Sequence, residues 1–109
     1  MPRSPVELRL QAVRDLADIA VYLAGESGSD DLALRFLDAA ETSFENLAVM
    51  PEMGATRHYN DPVLAEVRVW PVVGFPNHLI FYRPSECGIE VIRVLHAKRD
   101  IEALFGGRS

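Results

Sequence analysis

An α+β domain is predicted for this chain, and three features carry the prediction. Val6, Leu8 and Leu10 alternate with Glu7 and Arg9, the period of a half-buried strand. From Val13 to Leu47 the large apolar residues recur at helical spacing instead. After residue 65, Val, Ile, Phe, Tyr and Trp gather into short runs separated by Gly and Pro, the pattern of consecutive strands. Helices placed before a group of strands imply a helical hairpin packed on one face of an antiparallel sheet.

The first helix rests on Val13, Leu16, Ile19, Ala20 and Leu23, with Arg14, Asp15 and Asp18 expected to face water and Gly25 as its stop. Glu26-Ser27-Gly28 is a turn. Ser29 is placed to cap a second helix, whose first turn holds Asp30 and Asp31, where negative charge complements exposed N–H groups. Ala33, Phe36, Leu37, Ala40, Phe44 and Leu47 form one apolar face, expected in the core, and Pro51 ends the helix. Residues 51–62 hold Pro, Gly and Asn and are expected to be loop. Strands are predicted over 66–73, 78–83 and 89–95, with Pro71 marking an edge or a bulge. A short last helix is expected over 98–105, closed by Gly106-Gly107. One sheet face would be covered by the hairpin; the other would need partial cover and is where a partner is expected to bind.

With 109 residues, 49% hydrophobic and 25% charged, the chain has the size and composition of one globular domain spanning 1–109. A single cysteine, Cys87, cannot form an internal disulfide, and no signal peptide or membrane-length apolar run is visible, so a cytoplasmic protein is expected. The formal net charge of −5 argues against diffuse attraction to nucleic acid. That charge is uneven: residues 1–54 carry 4 basic and 10 acidic side chains, residues 55–109 carry 7 and 6. His58, His78 and His96 lack metal-ligand spacing, no second cysteine supports zinc, and no phosphate-binding glycine loop is present, so no cofactor is expected.

Residues 77–105, NHLIFYRPSECGIEVIRVLHAKRDIEALF, resemble the end of ParE-type toxins, in the ParE/RelE superfamily of bacterial toxin–antitoxin modules. The similarity extends to a first helix containing Ala12, Asp15-Leu16, Ile19 and Tyr22-Leu23, to a Pro–x–x–Gly loop at Pro51-Glu52-Met53-Gly54, and to Arg68 in the first sheet hairpin. The resemblance implies a toxin of a type II module that inhibits DNA gyrase by protein–protein contact. It implies as neutraliser a ParD-like antitoxin with a ribbon–helix–helix DNA-binding end. A RelE-like, ribosome-dependent mRNA endonuclease is the alternative, and a non-toxic partner of its antitoxin is a third reading.

RNA cleavage through the 2′-hydroxyl needs a base, an acid and cations for the phosphorane charge. Arg83, His96 and Arg99, with Lys98 beside them, would supply these on the nuclease reading. RelE-type sites usually hold several lysines and a tyrosine near the C-terminus; here Lys98 is alone and Leu104-Phe105 stands at that place. The ParE reading needs no catalytic residue. Its expected antitoxin- or target-binding residues are Arg68, Trp70, Arg83, Arg93, Lys98, Arg99, Leu104 and Phe105. Against these roles, Arg83 and Arg93, expected at opposite ends of the last hairpin, could pair with Glu86, Glu90 or Asp100, and Trp70 could be a partly buried core aromatic.

Overall fold

A computed structural model describes residues 5–56 and 66–99. The order is β1 (Val6–Leu8), α1 (Leu10–Ser27), α2 (Asp30–Val49), β2 (Ala55–Thr56), β3 (Arg68–Val72), β4 (Phe75–Pro84) and β5 (Ile89–His96). One sheet joins the strands in the order β1-β5-β4-β3-β2. The β2–β3, β3–β4 and β4–β5 pairings are antiparallel, as short connections favour, whereas β1 lies parallel to β5. The sheet is therefore mixed, because the helical hairpin carries the chain from the end of β1 back across the sheet. The expected α+β arrangement stands.

Several boundaries move for local reasons. α1 starts at Leu10, which is exposed at 65%, so the alternation of Val6, Leu8 and Leu10 does not continue as strand. The helix also passes Gly25 and stops at Gly28, which takes the left-handed conformation (φ 72°) and donates its N–H to the Ala24 carbonyl. Ser29 caps α2 as expected, its Oγ accepting from Asp31 N at 3.1 Å. Pro71 coincides with a register shift between Pro71 and Val72 in the β3–β4 ladder. The short strand β2 falls within the region expected to be loop. The helix expected over 98–105 lies almost wholly outside the described residues, and Leu104, Phe105 and Asp100 lie outside them.

The main core lies between hairpin and sheet: Phe36, Ala40, Phe44 and Leu47 of α2 meet Ile80, Tyr82, Ile89, Val91 and Val94. Burying a side chain such as Phe36, which is 0% exposed, contributes about 2–3 kcal/mol. A second cluster, Val67, Val69, Phe81 and Leu95, is also buried. These residues lie on the sheet face away from the hairpin, so the centre of that face has the cover that the sequence called for. Among the described residues no helix is long and apolar enough to cross a membrane.

Candidate functional site

The β4–β5 hairpin carries most of the site residues expected from the sequence, and it sends them to different places. At the turn end, Arg83 stands directly opposite Glu90. Arg83 Nε lies 3.8 Å from Glu90 Oε1, while Arg9 Nε donates to Glu90 Oε2 at 2.9 Å. The pairing of Arg83 with Glu90 is one that the sequence left open. Two arginines share one carboxylate here, and the group ties the junction of β1 and α1 to the hairpin.

Midway along β5, Arg93 is opposite Phe81, so it is not at the end of the hairpin as expected. A register shift between Phe81 and Tyr82 leaves an extra residue in β5 just before it. The Arg93 guanidinium bonds Asp15 of α1 through two nitrogens, at 2.8 and 3.1 Å. Asp15 Oδ2 also accepts from the Val94 backbone N–H at 3.0 Å. β1 pairs with β5 only from Ile89 to Val91, and Asp15 supplies an acceptor beyond that contact. Asp15 is 7% exposed, contrary to the expectation that it faces water. A carboxylate on an otherwise core-facing position is tolerable only with such partners. Asp15 is thus a partner of Arg93 that the sequence did not offer.

Arg68 and Tyr82 face each other across β3–β4 and together hold the Pro–x–x–Gly loop. The Tyr82 hydroxyl donates to the Pro51 carbonyl at 2.7 Å and accepts from Gly54 N at 2.8 Å. Arg68 Nη1 donates to the carbonyls of Glu52 and Gly54 at 3.1 and 2.7 Å. A Cβ on Gly54 would sit 2.5 Å from the Tyr82 hydroxyl, so glycine is required by close approach. Burial raises the Tyr82 pKa above its ordinary 10.0, against opposing effects of the Gly54 hydrogen bond and the Arg68 charge. Trp70 is half-buried and packs against the main core.

The open end of the hairpin gathers a different set. His78 and His96 are opposite each other, their rings 5.2 Å apart and nearly perpendicular. His78 is backed by Phe36, 5.1 Å between centroids, and by Phe75. His96 Nδ1 accepts from the backbone N–H groups of Lys98 and Arg99, each at 3.2 Å, and so caps the segment that follows β5. Arg99 then lies over the Tyr22 ring of α1, 4.9 Å from its centroid. These residues line a cleft of about 310 Å³ whose rim includes Gly74, Phe75 and Asn77. Lys98 is exposed beside it.

Of the three residues of the nuclease reading, His96 and Arg99 come together and Arg83 does not. Positions 78 and 83 are five steps apart along extended β4, about 17 Å at ~3.4 Å per residue. The residues that sequence reasoning missed are Asp15, Tyr82, Tyr22 and His78. Tyr82 and the Pro–x–x–Gly loop could have been linked by a buried tyrosine needing a partner. Among the described residues no group of three His, Cys, Asp or Glu side chains is placed to hold a metal ion.

Comparison with known families adds the class. A family model described as the ParE toxin of the type II toxin-antitoxin system parDE matches residues 6–101. The match spans most of the 109 residues, and the chain belongs to this family. It is the toxin of a type II toxin–antitoxin system, whose partner is an antitoxin. No curated protein is similar enough to add an individual relative.

Proposed function

We propose that this ParE-family toxin arrests growth by holding DNA gyrase on broken DNA through a protein–protein interface, and that a ParD-like antitoxin with a ribbon–helix–helix end neutralises it. The observation that carries this reading is the dispersal of the cations that a nuclease would need at one phosphate. Arg83 is engaged with Glu90, Arg93 with Asp15 and Arg68 with the 51–54 loop, so three of four described arginines of the sheet region serve the architecture. At the open end stand His96, whose Nδ1 is occupied as a cap, His78 packed against it, Arg99 stacked on Tyr22, and exposed Lys98. A gyrase poison stabilises an enzyme–DNA intermediate and needs complementarity of shape and charge, with no acid or base of its own.

The antitoxin is proposed to lay an amphipathic helix along the α-hairpin, where Leu10, Val13, Val21 and Leu34 are exposed apolar anchors. Because Arg68 and Arg93 are used internally, Lys98 and Arg99 are the better candidates among the expected residues to meet its polar groups. Calorimetry should show a strongly negative heat-capacity change on binding; tight binding with almost none would contradict a folded apolar interface. For the target, purified toxin is incubated with gyrase and supercoiled plasmid, and separately with translating ribosomes. Gyrase-linked broken DNA with intact mRNA is expected. Intact plasmid with codon-specific mRNA cuts would replace this reading by RelE-like cleavage.

A further inference from the structure

The outer surface of the helical hairpin is divided lengthwise by chemistry. On α1 the exposed residues Leu10, Val13, Ala17 and Val21 recur at spacings of three and four. Leu10, Val13 and Val21 keep 65%, 45% and 73% of their surface exposed. This row lies on the opposite side of the helix from buried Ala12 and Ile19, so α1 is apolar toward the core and again toward water. A continuous apolar stripe on the water side contributes nothing to this fold and marks a surface that a partner covers.

The neighbouring helix differs. On α2 the exposed row with the same spacing is Asp31, Leu34, Asp38, Glu41, Glu45 and Val49. α2 carries five acidic side chains and one basic one, Arg35, which lies 3.4 Å from Asp31. Asp38, Glu41 and Glu45 follow one another at three and four residues, where like charges repel and weaken the helix. The last turn of α2 holds no basic residue to offset them at the negative end of the helix dipole. A cationic partner would remove that repulsion. Counting back from the turn at Gly28-Ser29, antiparallel packing sets Asp38 about level with Ile19 and Glu45 about level with Ala12. The acidic row therefore runs beside the apolar stripe.

We propose that this surface receives an amphipathic helix with a cationic flank. Its apolar side seats on Leu10, Val13, Ala17 and Val21, and its Lys or Arg side chains meet Asp38, Glu41 and Glu45. The proposal rests on the antitoxin reading and deepens it, since it gives the toxin-binding segment of the antitoxin a sign of charge and a length. The stripe from Leu10 to Val21 is about 16 Å long at ~1.5 Å per residue, which about three turns of a partner helix cover. A second copy of this chain does not fit as the occupant, because facing hairpins would set two acidic rows against each other. A segment with an acidic flank meets the same repulsion.

The test uses the purified full-length toxin and three synthetic peptides of about 18 residues, long enough to be partly helical alone. They share one stripe of Leu and Ala at the matching spacing and differ in a flank of Lys, Gln or Glu. Binding is followed by fluorescence anisotropy at constant ionic strength. The Lys peptide is expected to bind about tenfold more tightly than the Gln peptide, and the Glu peptide most weakly. Glu41→Lys/Glu45→Lys should remove the preference for Lys, and this variant, with less repulsion along α2, should unfold no earlier than wild type. Val13→Gln/Val21→Gln should weaken the Lys and Gln peptides alike, severalfold. Equal binding of all three peptides, lost in Val13→Gln/Val21→Gln, would overturn the cationic flank and leave the antitoxin reading standing. Binding of the Lys peptide that survives scrambling of its apolar stripe would overturn the amphipathic fit in favour of simple attraction of a polycation. Absence of binding by every peptide would overturn both the flank and the docking of an amphipathic helix on the hairpin.

Discussion

The two ends of the β4–β5 hairpin handle positive charge in opposite ways. Toward the turn, Arg83 and Arg9 meet Glu90, and one step inward Arg93 meets Asp15. At the open end His78, His96 and Arg99 line a cleft whose described lining contains no carboxylate. The hairpin is one continuous ladder, so backbone geometry does not separate them; the neighbouring elements do. β1 and α1 bring Arg9 and Asp15 to the turn half, while α1 brings Tyr22, an aromatic face, to the open half. The lesson is that an arginine in this sequence is structural where a carboxylate from a distant element reaches it.

The comparison can be broken most severely at Asp15. Asp15→Ala removes both bonds to Arg93 and the acceptor for Val94 N–H, leaving a buried donor and a partly buried guanidinium without that partner. A loss of about 3 kcal/mol is expected in chemical denaturation; a loss below ~1 kcal/mol would mean that the pair does not fasten α1 to β5. Tyr82→Phe should cost about 2 kcal/mol, since it strips Gly54 N and the Pro51 carbonyl of a buried partner. This substitution also has a pH signature. The folded-state pKa of Tyr82 is raised above 10.0, so the folded protein holds the proton more tightly than the unfolded chain. The associated stability is present below about pH 10 and is lost as pH rises through the folded pKa. The fall in stability above pH 10 should therefore be shallower in Tyr82→Phe; an identical fall would contradict the assignment. Smallest of the three, Arg83→Gln should change stability by less than ~1 kcal/mol, because the 3.8 Å pair is solvent-accessible at both partners. A larger loss would show that the turn end is more than a surface pair.

Local patterns made much of the fold legible. The Phe36, Ala40, Phe44 stripe announced the buried face of α2, Ser29 announced its cap, and Pro71 announced the irregularity in β3. Each of these is decided by residues within a few positions of one another. Asp15 was misread because its periodicity puts it among polar residues, while the partners that bury it lie 78 and 79 positions away. Long-range pairing also decided that β1 runs parallel to β5 and that β2 pairs with β3. At the site, His96 and Arg99 were singled out from the sequence, but His78 and Tyr22 were not. Their approach depends on the strand register and on where α1 crosses the sheet.

The central claim, poisoning by contact without acid–base chemistry, is tested most directly at His96. His96→Asn keeps an oxygen acceptor able to cap the Lys98 and Arg99 N–H groups, so the local structure should survive while any proton-transfer role is lost. Growth arrest is measured after induction of the wild-type and variant toxins at matched levels of folded protein. Toxicity within a few-fold of wild type is the expected result. A loss on the order of a hundredfold or more, the usual cost of removing a general acid or base, would contradict the claim.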